Sequence, residues 1–194
     1  MPLDTRPGEL FSYNNVGYIL LAHIIEEVSG QSFTAFLEQA IFSPLNMRNT
    51  GYEGRSSGVA KLYAGRYDTT AAEYDPLPIS DGTGGLYSTA EDLFLWDQAL
   101  YTDRLLPRTE LDRMFEPFVR ETDDVPGFGY GYAWLVGKDR GRPVIGGTGG
   151  GPAFATLIVR YPEDELTEIV LTNQGDINHG AIWATISNTL FGEQ

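Results

Sequence analysis

The 194-residue chain sets 13 lysines and arginines against 27 aspartates and glutamates, a formal net charge of −14, and is 42% hydrophobic with no cysteine. Its length and apolar content suit one domain, or one large piece of a domain, with a substantial core. The charge excludes nucleic acid as a partner, since phosphate binding needs clustered Lys and Arg, and the lack of cysteine excludes disulfides and thiol nucleophiles.

No stretch of about eighteen apolar residues is present to span a bilayer. The opening "MPLDTRPGEL" has neither the basic start nor the apolar stretch of a signal peptide, so no export is expected and the compartment stays open. Only His23 and His179 supply imidazoles. Neither a metal nor a cofactor is expected.

In "FSYNNVGYILLAHIIEEVSG", residues 11–30, three polar residues precede a run with Leu20, Leu21, Ile24, Ile25 and Val28 at helical spacing, which predicts a helix from Asn15 to about Ser29, stopped by Gly30. Asn14 or Asn15 caps it, or a buried helix presents Tyr13 and Asn15 into a cleft. His23, Glu26 and Glu27 form its narrow polar stripe. A second helix is expected from Phe33 to Ile41, ended by Pro44 in "SPLNM". Residues 51–82 carry no helical signal, and "YDPLPISDGTGG" reads as an irregular surface excursion. Ser88 and Glu91 stand at capping-box spacing, predicting a helix from Thr89 to about Tyr101, and another follows at 107–116.

Beyond residue 125 the segments "FGYGYAWLVG", "RPVIGG", "AFATLIVRYP" and "LTEIVLTNQ" are rich in β-branched and aromatic residues and are separated by short polar turns, the pattern of an antiparallel meander. Ile182, Ile186 and Leu190 place a helix at the end. The plan is α+β, an antiparallel β-sheet flanked by helices, in a single domain over 1–194.

The glycines of "GGTGGGPAF" lead into a strand with no following Lys-Ser or Lys-Thr, which excludes a phosphate loop or a dinucleotide fingerprint. Taken alone, they read as a tight β turn that lets a ligand approach the backbone. Taken alone, Tyr13 reads as a packed aromatic, and His23 and His179 as surface or helix-packing residues.

Together and in order, "RPGELFSYNNVGYILLAHIIEEVSGQSF", "FSPLNMRNTGY", "GGLYSTAEDLFLW", "GYGYAW" and "GGTGGGPAFATLIVRYPEDELTEIVLTN" resemble successive landmarks of the serine beta-lactamase-like family, which includes class C beta-lactamases, D-alanyl-D-alanine carboxypeptidases and related esterases. The resemblance implies a beta-lactamase/transpeptidase-like fold and acyl-enzyme hydrolysis of a small-molecule ester, amide or beta-lactam. Tyr13-Asn14-Asn15 matches the family's Tyr-x-Asn motif, and Gly147-Thr148-Gly149 its Lys-Thr-Gly or His-Thr-Gly strand motif. By that resemblance the Tyr13 phenol relays a proton beside a nucleophilic serine and its lysine. Asn15 offers its amide to a substrate carbonyl or to that lysine. Thr148 hydrogen-bonds the substrate, and the Gly150 N–H is an oxyanion-hole donor.

Two departures stand out. No serine is followed three places later by lysine, Ser57 and Lys61 missing that spacing, and Gly147 stands where the family places a cation or an imidazole. The resemblance therefore implies the C-terminal portion of a catalytic domain, incomplete at its N-terminus and inactive alone. Its helix surface then favours self-association or pairing with an N-terminal segment. A pseudoenzyme or binding module, or a subunit completed by a chain bearing Ser-x-x-Lys, are the alternative readings.

Overall fold

The computed structural model describes residues 6, 9, 11–52, 59–63, 82–119 and 125–192. Ser57 lies outside them, as do residues 74–81 of the stretch expected to be irregular.

Helix α1 (Asn15–Ser29) begins where the Asn14 side chain accepts the Val16 backbone N–H at 2.7 Å, and ends where Gly30, at φ 69°, donates its N–H to the Glu26 carbonyl. Asn14 is thus the cap, and capping does not engage the Asn15 side chain. The expectation that the rest of this helix is buried is overturned. Of its residues only Ala22 is buried, while Val16, Leu20, Leu21, Ile24 and Val28 are exposed, Val28 to 83%. Periodicity reports which side chains avoid water, not what surface covers them, and no described element packs over that side of α1.

The second helix runs past its expected end. Helix α2 (Phe33–Leu37) starts with the Ser32 hydroxyl accepting the Ala35 N–H at 3.3 Å, widens into a π-helical turn at Glu38–Phe42, and continues into α3 (Ser43–Leu45). Pro44 directly follows the π-helical turn and does not stop the helix; the stop is left-handed Asn46 at φ 62°. Phe42, Leu45 and Met47 bury themselves here with Ala99.

Strands β1 (Gly51–Tyr52) and β2 (Leu86–Tyr87) form a small antiparallel pair ahead of helix α4 (Ala90–Ala99). Its cap is Thr89, not the expected Ser88: the Thr89 hydroxyl accepts the Asp92 N–H at 3.2 Å, and the Ser88 hydroxyl instead shares a 2.7 Å hydrogen bond with Thr50. The shift has a reason. Asp92 is buried and accepts both the Asn49 N–H at 2.7 Å and the Thr50 hydroxyl at 2.9 Å, tying the preceding loop to the start of α4. Helix α5 (Arg108–Met114) follows.

The expected meander is an antiparallel sheet in the order β3 (Gly129–Tyr130), β4 (Leu135–Asp139), β5 (Arg142–Gly151), β6 (Phe154–Tyr161), β7 (Leu166–Thr172), followed by helix α6 (His179–Phe191). Register sorts its faces. Ile145 lies opposite Arg160, and this face packs on Leu100, Leu111 and Trp134 beside α4 and α5. Val144, Leu157, Val159 and Tyr161 point the other way, against Trp183 and Phe191 of α6. The sheet is therefore a middle layer between helices.

Arg160 and Asp97 join two of these layers. The guanidinium Nε donates to the Asp97 carboxylate at 2.5 Å with both side chains at most 2% exposed, and the guanidinium lies over the Tyr101 and Phe115 rings. Removing one partner strands a buried charge. Asp97→Ala is expected to lower the unfolding free energy by about 3–5 kcal/mol, whereas Asp112→Ala, which breaks the exposed Arg108–Asp112 pair, changes it by less than about 1 kcal/mol. Urea denaturation of both variants checks this, and comparable small losses would deny the buried pair its role.

Candidate active site

The site grows from the end of one strand. Strand β4 stops pairing at Leu135, opposite Gly146, while β5 runs on to Gly151, so from Gly147 onward the β4-facing edge of β5 has no strand partner among the described residues. The connection to β6 is the two-residue link Pro152-Ala153, with Gly151 opposite Phe154. A turn of that length closes on a hydrogen-bonded pair, so the backbone groups of Gly149 and Gly151 face β6, and those of Thr148 and Gly150 face the open edge. Gly149 is held small by its neighbour: a Cβ there would meet the Thr156 hydroxyl at 2.6 Å. At Gly147 a Cβ would meet nothing within 4 Å, so the missing side chain is not a steric requirement.

Register also assembles the wall beside that edge. Tyr130 pairs with Leu135, Leu135 with Gly146, and Thr148 is two residues on, so Tyr130, Leu135 and Thr148 share one face. The chain reaches Leu135 through Ala133 in the left-handed region, φ 65°, an uncommon conformation for a residue other than glycine. From the opposite side comes the start of α1. Asn15 and Tyr18 are one turn apart on the same helix face, and Gly82, with its N–H donated to the Tyr52 hydroxyl at 3.0 Å, packs so closely on the Tyr18 carbonyl that a Cβ would stand 2.6 Å away.

These parts enclose a cleft of about 350 Å³. Tyr13, Asn15, Gly147 and Thr148, far apart in sequence, meet in it, with Gly82, Thr83 and Ala133 beside them and Phe11, Tyr18, Tyr130 and Leu135 forming an apolar wall. Tyr13 is 61% exposed, so it is not the packed aromatic that it resembles in isolation. The Tyr130 phenol is pushed above its ordinary value chiefly by burial, and further by the nearby Tyr18 and Tyr13 phenols. It therefore stays protonated.

Gly150 does not line that cleft. It opens on a second cavity of about 280 Å³ with Phe154, Asp176 and His179, at the β5–β6 hairpin. Gly149 lines neither. The His179 Nδ1 lies 3.1 Å from the Ile177 carbonyl, and His23 lies on the surface of α1 against Glu26 at 3.3 Å. Tyr18, Tyr130, Leu135, Gly82 and Thr83 lie outside the residues that the sequence motifs point to. The i, i+3 spacing of Asn15 and Tyr18 could have found one of them, but the pairing of Tyr130 with Leu135 is a matter of strand register.

The cleft holds a phenol, an amide, a hydroxyl and an unpaired strand edge, groups suited to proton relay and to holding a carbonyl. Comparison with known proteins accords with that class. The Beta-lactamase family matches residues 1–185, and the chain belongs to it. Penicillin-binding protein 4* of Bacillus subtilis (strain 168) is 30% identical over 206 residues, covering 97% of this chain and 46% of that protein. The D-alanyl-D-alanine-carboxypeptidase/endopeptidase AmpH of Escherichia coli (strain K12) is 28% identical over 188 residues, covering 90% of this chain and 48% of that protein. Among solved structures, the octameric penicillin-binding protein homologue from Pyrococcus abyssi superposes with a TM-score of 0.88 at 25% identity, covering 98% of this chain and 44% of that one. The chain thus has the beta-lactamase/transpeptidase-like fold and spans about half the length of the curated relatives it matches.

Proposed function

We propose that this chain carries one side of an acyl-transfer site that hydrolyses an ester, amide or beta-lactam, and that the nucleophilic serine and its lysine come from a Ser-x-x-Lys segment outside these 194 residues. The observation that carries this reading is the convergence of Tyr13, Asn15, Gly147 and Thr148 in one cleft beside an unpaired strand edge. In this scheme the serine Oγ attacks the substrate carbonyl, the Tyr13 phenol accepts the hydroxyl proton as it gives its own to the leaving group, and water then cleaves the acyl-serine by the reverse relay, its proton returning through Tyr13 to the serine Oγ. Asn15 holds the substrate carbonyl or the lysine. Thr148 hydrogen-bonds the substrate along β5, and the Gly150 N–H, on the open edge, stabilises the oxyanion. Family membership, and relatives named as carboxypeptidases and penicillin-binding proteins, support the reaction class.

The apolar side of α1 supports a companion reading of partners. Val16, Leu20, Leu21, Ile24 and Val28 lie exposed along one helix, and contiguous patches of that kind mark interfaces. The segment that brings the nucleophile packs there, or a second copy does.

Three outcomes follow. Intact-mass spectrometry of the chain treated with a fluorophosphonate or a penicillin is expected to show no adduct, and a fusion restoring a Ser-x-x-Lys segment is expected to show one. In that fusion Tyr13→Phe lowers turnover by roughly 10²–10⁴ with little change in melting temperature. A stoichiometric adduct on the unfused chain, or full activity of the Phe variant, would overturn the scheme.

Gly147 brings no cation to a substrate carboxylate, and a hydrogen bond to a charged partner contributes about 1.5–3 kcal/mol. The fusion should therefore favour a short-chain p-nitrophenyl ester over a chromogenic cephalosporin, and Gly147→Lys, for which there is room, should raise kcat/KM roughly tenfold to a hundredfold for the cephalosporin alone. Equal shifts for both substrates would remove Gly147 from this role.

Light scattering of the unfused chain is expected to show association that is reversed by the Ser-x-x-Lys segment added in trans. A monodisperse monomer that binds no hydrophobic dye would count against it.

A further inference from the structure

Strand β7 stands at the end of the sheet, far along the strand order from the cleft, and its outer edge is engaged near one end. There Tyr63 donates its N–H to the Asn173 carbonyl at 2.9 Å and accepts the Gly175 N–H at 2.9 Å, in a parallel bridge. By alternation the backbone groups of Thr167, Ile169 and Leu171 face the same way, and among the described residues they have no strand partner on that side. Such an edge takes up an extended chain through main-chain hydrogen bonds, and side-chain contacts decide which chain it takes.

An acid stands in the middle of that edge. Glu168 lies opposite Val159, on the sheet face where Leu166 and Val170 pack with Tyr161, and it is only 7% exposed. Its Oε1 has no hydrogen-bond partner, and the acid is in no ion pair among the described residues. Burial pushes the carboxyl above its ordinary value, with no cation opposing the effect. The cations of the β4–β5 hairpin are engaged elsewhere, Arg140 with Asn188 and the Gly192 carbonyl, and Arg142 with Asp164. A buried acid without a partner costs stability. A strand added to β7 supplies one, because its residue opposite Glu168 points to the same face with the two β-carbons about 5 Å apart. A second copy of β7 does not: pairing the Thr167–Leu171 stretch with itself sets two Glu168 carboxyls two places apart on one face. The edge therefore suits an occupant that brings a cation.

We propose that the segment bringing Ser-x-x-Lys adds a strand to the Thr167–Leu171 edge of β7, and that a lysine or arginine on this strand pairs with Glu168. The identity of the segment rests on the acyl-transfer reading above, whereas the selection of a cation is a binding property of β7 that needs no nucleophile.

The test is NMR titration and amide hydrogen exchange of the 194-residue chain with three capped heptapeptides, Thr-Val-Thr-X-Thr-Val-Thr, where X is lysine, glutamine or glutamate and shares a face with the valines. The lysine peptide is expected to bind at least about tenfold tighter than the glutamine peptide, the glutamate peptide weakest, with exchange slowed at Thr167, Ile169 and Leu171. Glu168→Gln abolishes the preference for lysine and leaves binding of the glutamine peptide unchanged. Since that variant alters a net charge of −14 by only one, general attraction of a cation to the chain would survive it. Glu168→Val is expected to raise the melting temperature of the unfused chain, and a lowered one would overturn the proposal by giving the carboxyl a role in the chain's own packing. Equal binding of the lysine and glutamine peptides to the unaltered chain overturns it irrespective of how the variants fold. So does a lysine preference that survives Glu168→Gln, or no binding by any peptide. In the fusion that restores the Ser-x-x-Lys segment, the same three amides are expected to be protected without peptide, and free exchange there would overturn the segment as the occupant. Failure of the fusion to hydrolyse any acyl substrate would instead remove the acyl-transfer reading, since protection and peptide preference are read without turnover.

Discussion

Arg160 and Asp97 are almost wholly withdrawn from water, and the ion pair between them decides how helix α4 lies on the sheet. Such a pair adds little net stability compared with a well-packed apolar substitute, but it strongly penalises any arrangement that separates its partners. It acts as a positional constraint. The next residue along β6 does the same for the opposite layer: Tyr161 accepts the Trp183 indole N–H at 2.8 Å and donates to Asp139 at 2.9 Å. Burial foremost, and the Asp139 carboxylate after it, push the Tyr161 phenol up to about 12, so it remains a donor through the neutral range. Two consecutive residues of β6 therefore anchor a helix layer on each face.

The site inherits its geometry from that anchored strand. Residues Ile145 to Gly151 of β5 take their places from pairing with β6, so the direction of each backbone N–H on the open edge follows from the short Pro152-Ala153 link and from strict alternation. What keeps the edge open is the shortness of β4. Ala133, held at φ 65°, lets the chain turn into Leu135 only there, and a β4 starting two residues sooner would pair with Gly147 and Thr148 and close the cleft. An open edge is ordinarily a hazard for aggregation. Here the glycines beside it leave the backbone accessible to a ligand, which side chains at those positions would obstruct.

Much of this was legible in the residues, and the misses share a cause. The elements α1, α4, α5, α6 and the meander follow from apolar spacing and turn residues, which are local properties. The capping residue of α4 went wrong by one position because the deciding contact, Asp92 with Asn49 and Thr50, spans more than forty residues. Pro44 did not stop its helix because it directly follows the π-helical turn at Glu38–Phe42, where the ordinary i→i−4 ladder is already interrupted, and that turn has no sequence signature. In the site, Tyr13, Asn15 and Thr148 were recognisable as motif residues. Tyr18 and Tyr130 were not, since their meeting depends on how α1 sits against β3 and β4.

Helix α1 ties the chemistry of the cleft to the apolar surface outside it. Its first turn presents Asn15 and Tyr18 to the cleft, and Ala22, one turn further on, packs under Gly82; its other side carries the exposed Val16, Leu20, Leu21, Ile24 and Val28. The far end of α1 is tied to α2, where the Glu26 carboxylate accepts the Phe33 N–H at 2.8 Å, whereas its first turn, with Asn15 and with Tyr13 just ahead of it, is largely exposed. Groups that align a substrate need placement within about half an ångström. In the reading proposed above, the segment or second copy that packs on the apolar side also restrains α1 from behind, and with it the distance between Tyr13 and Thr148.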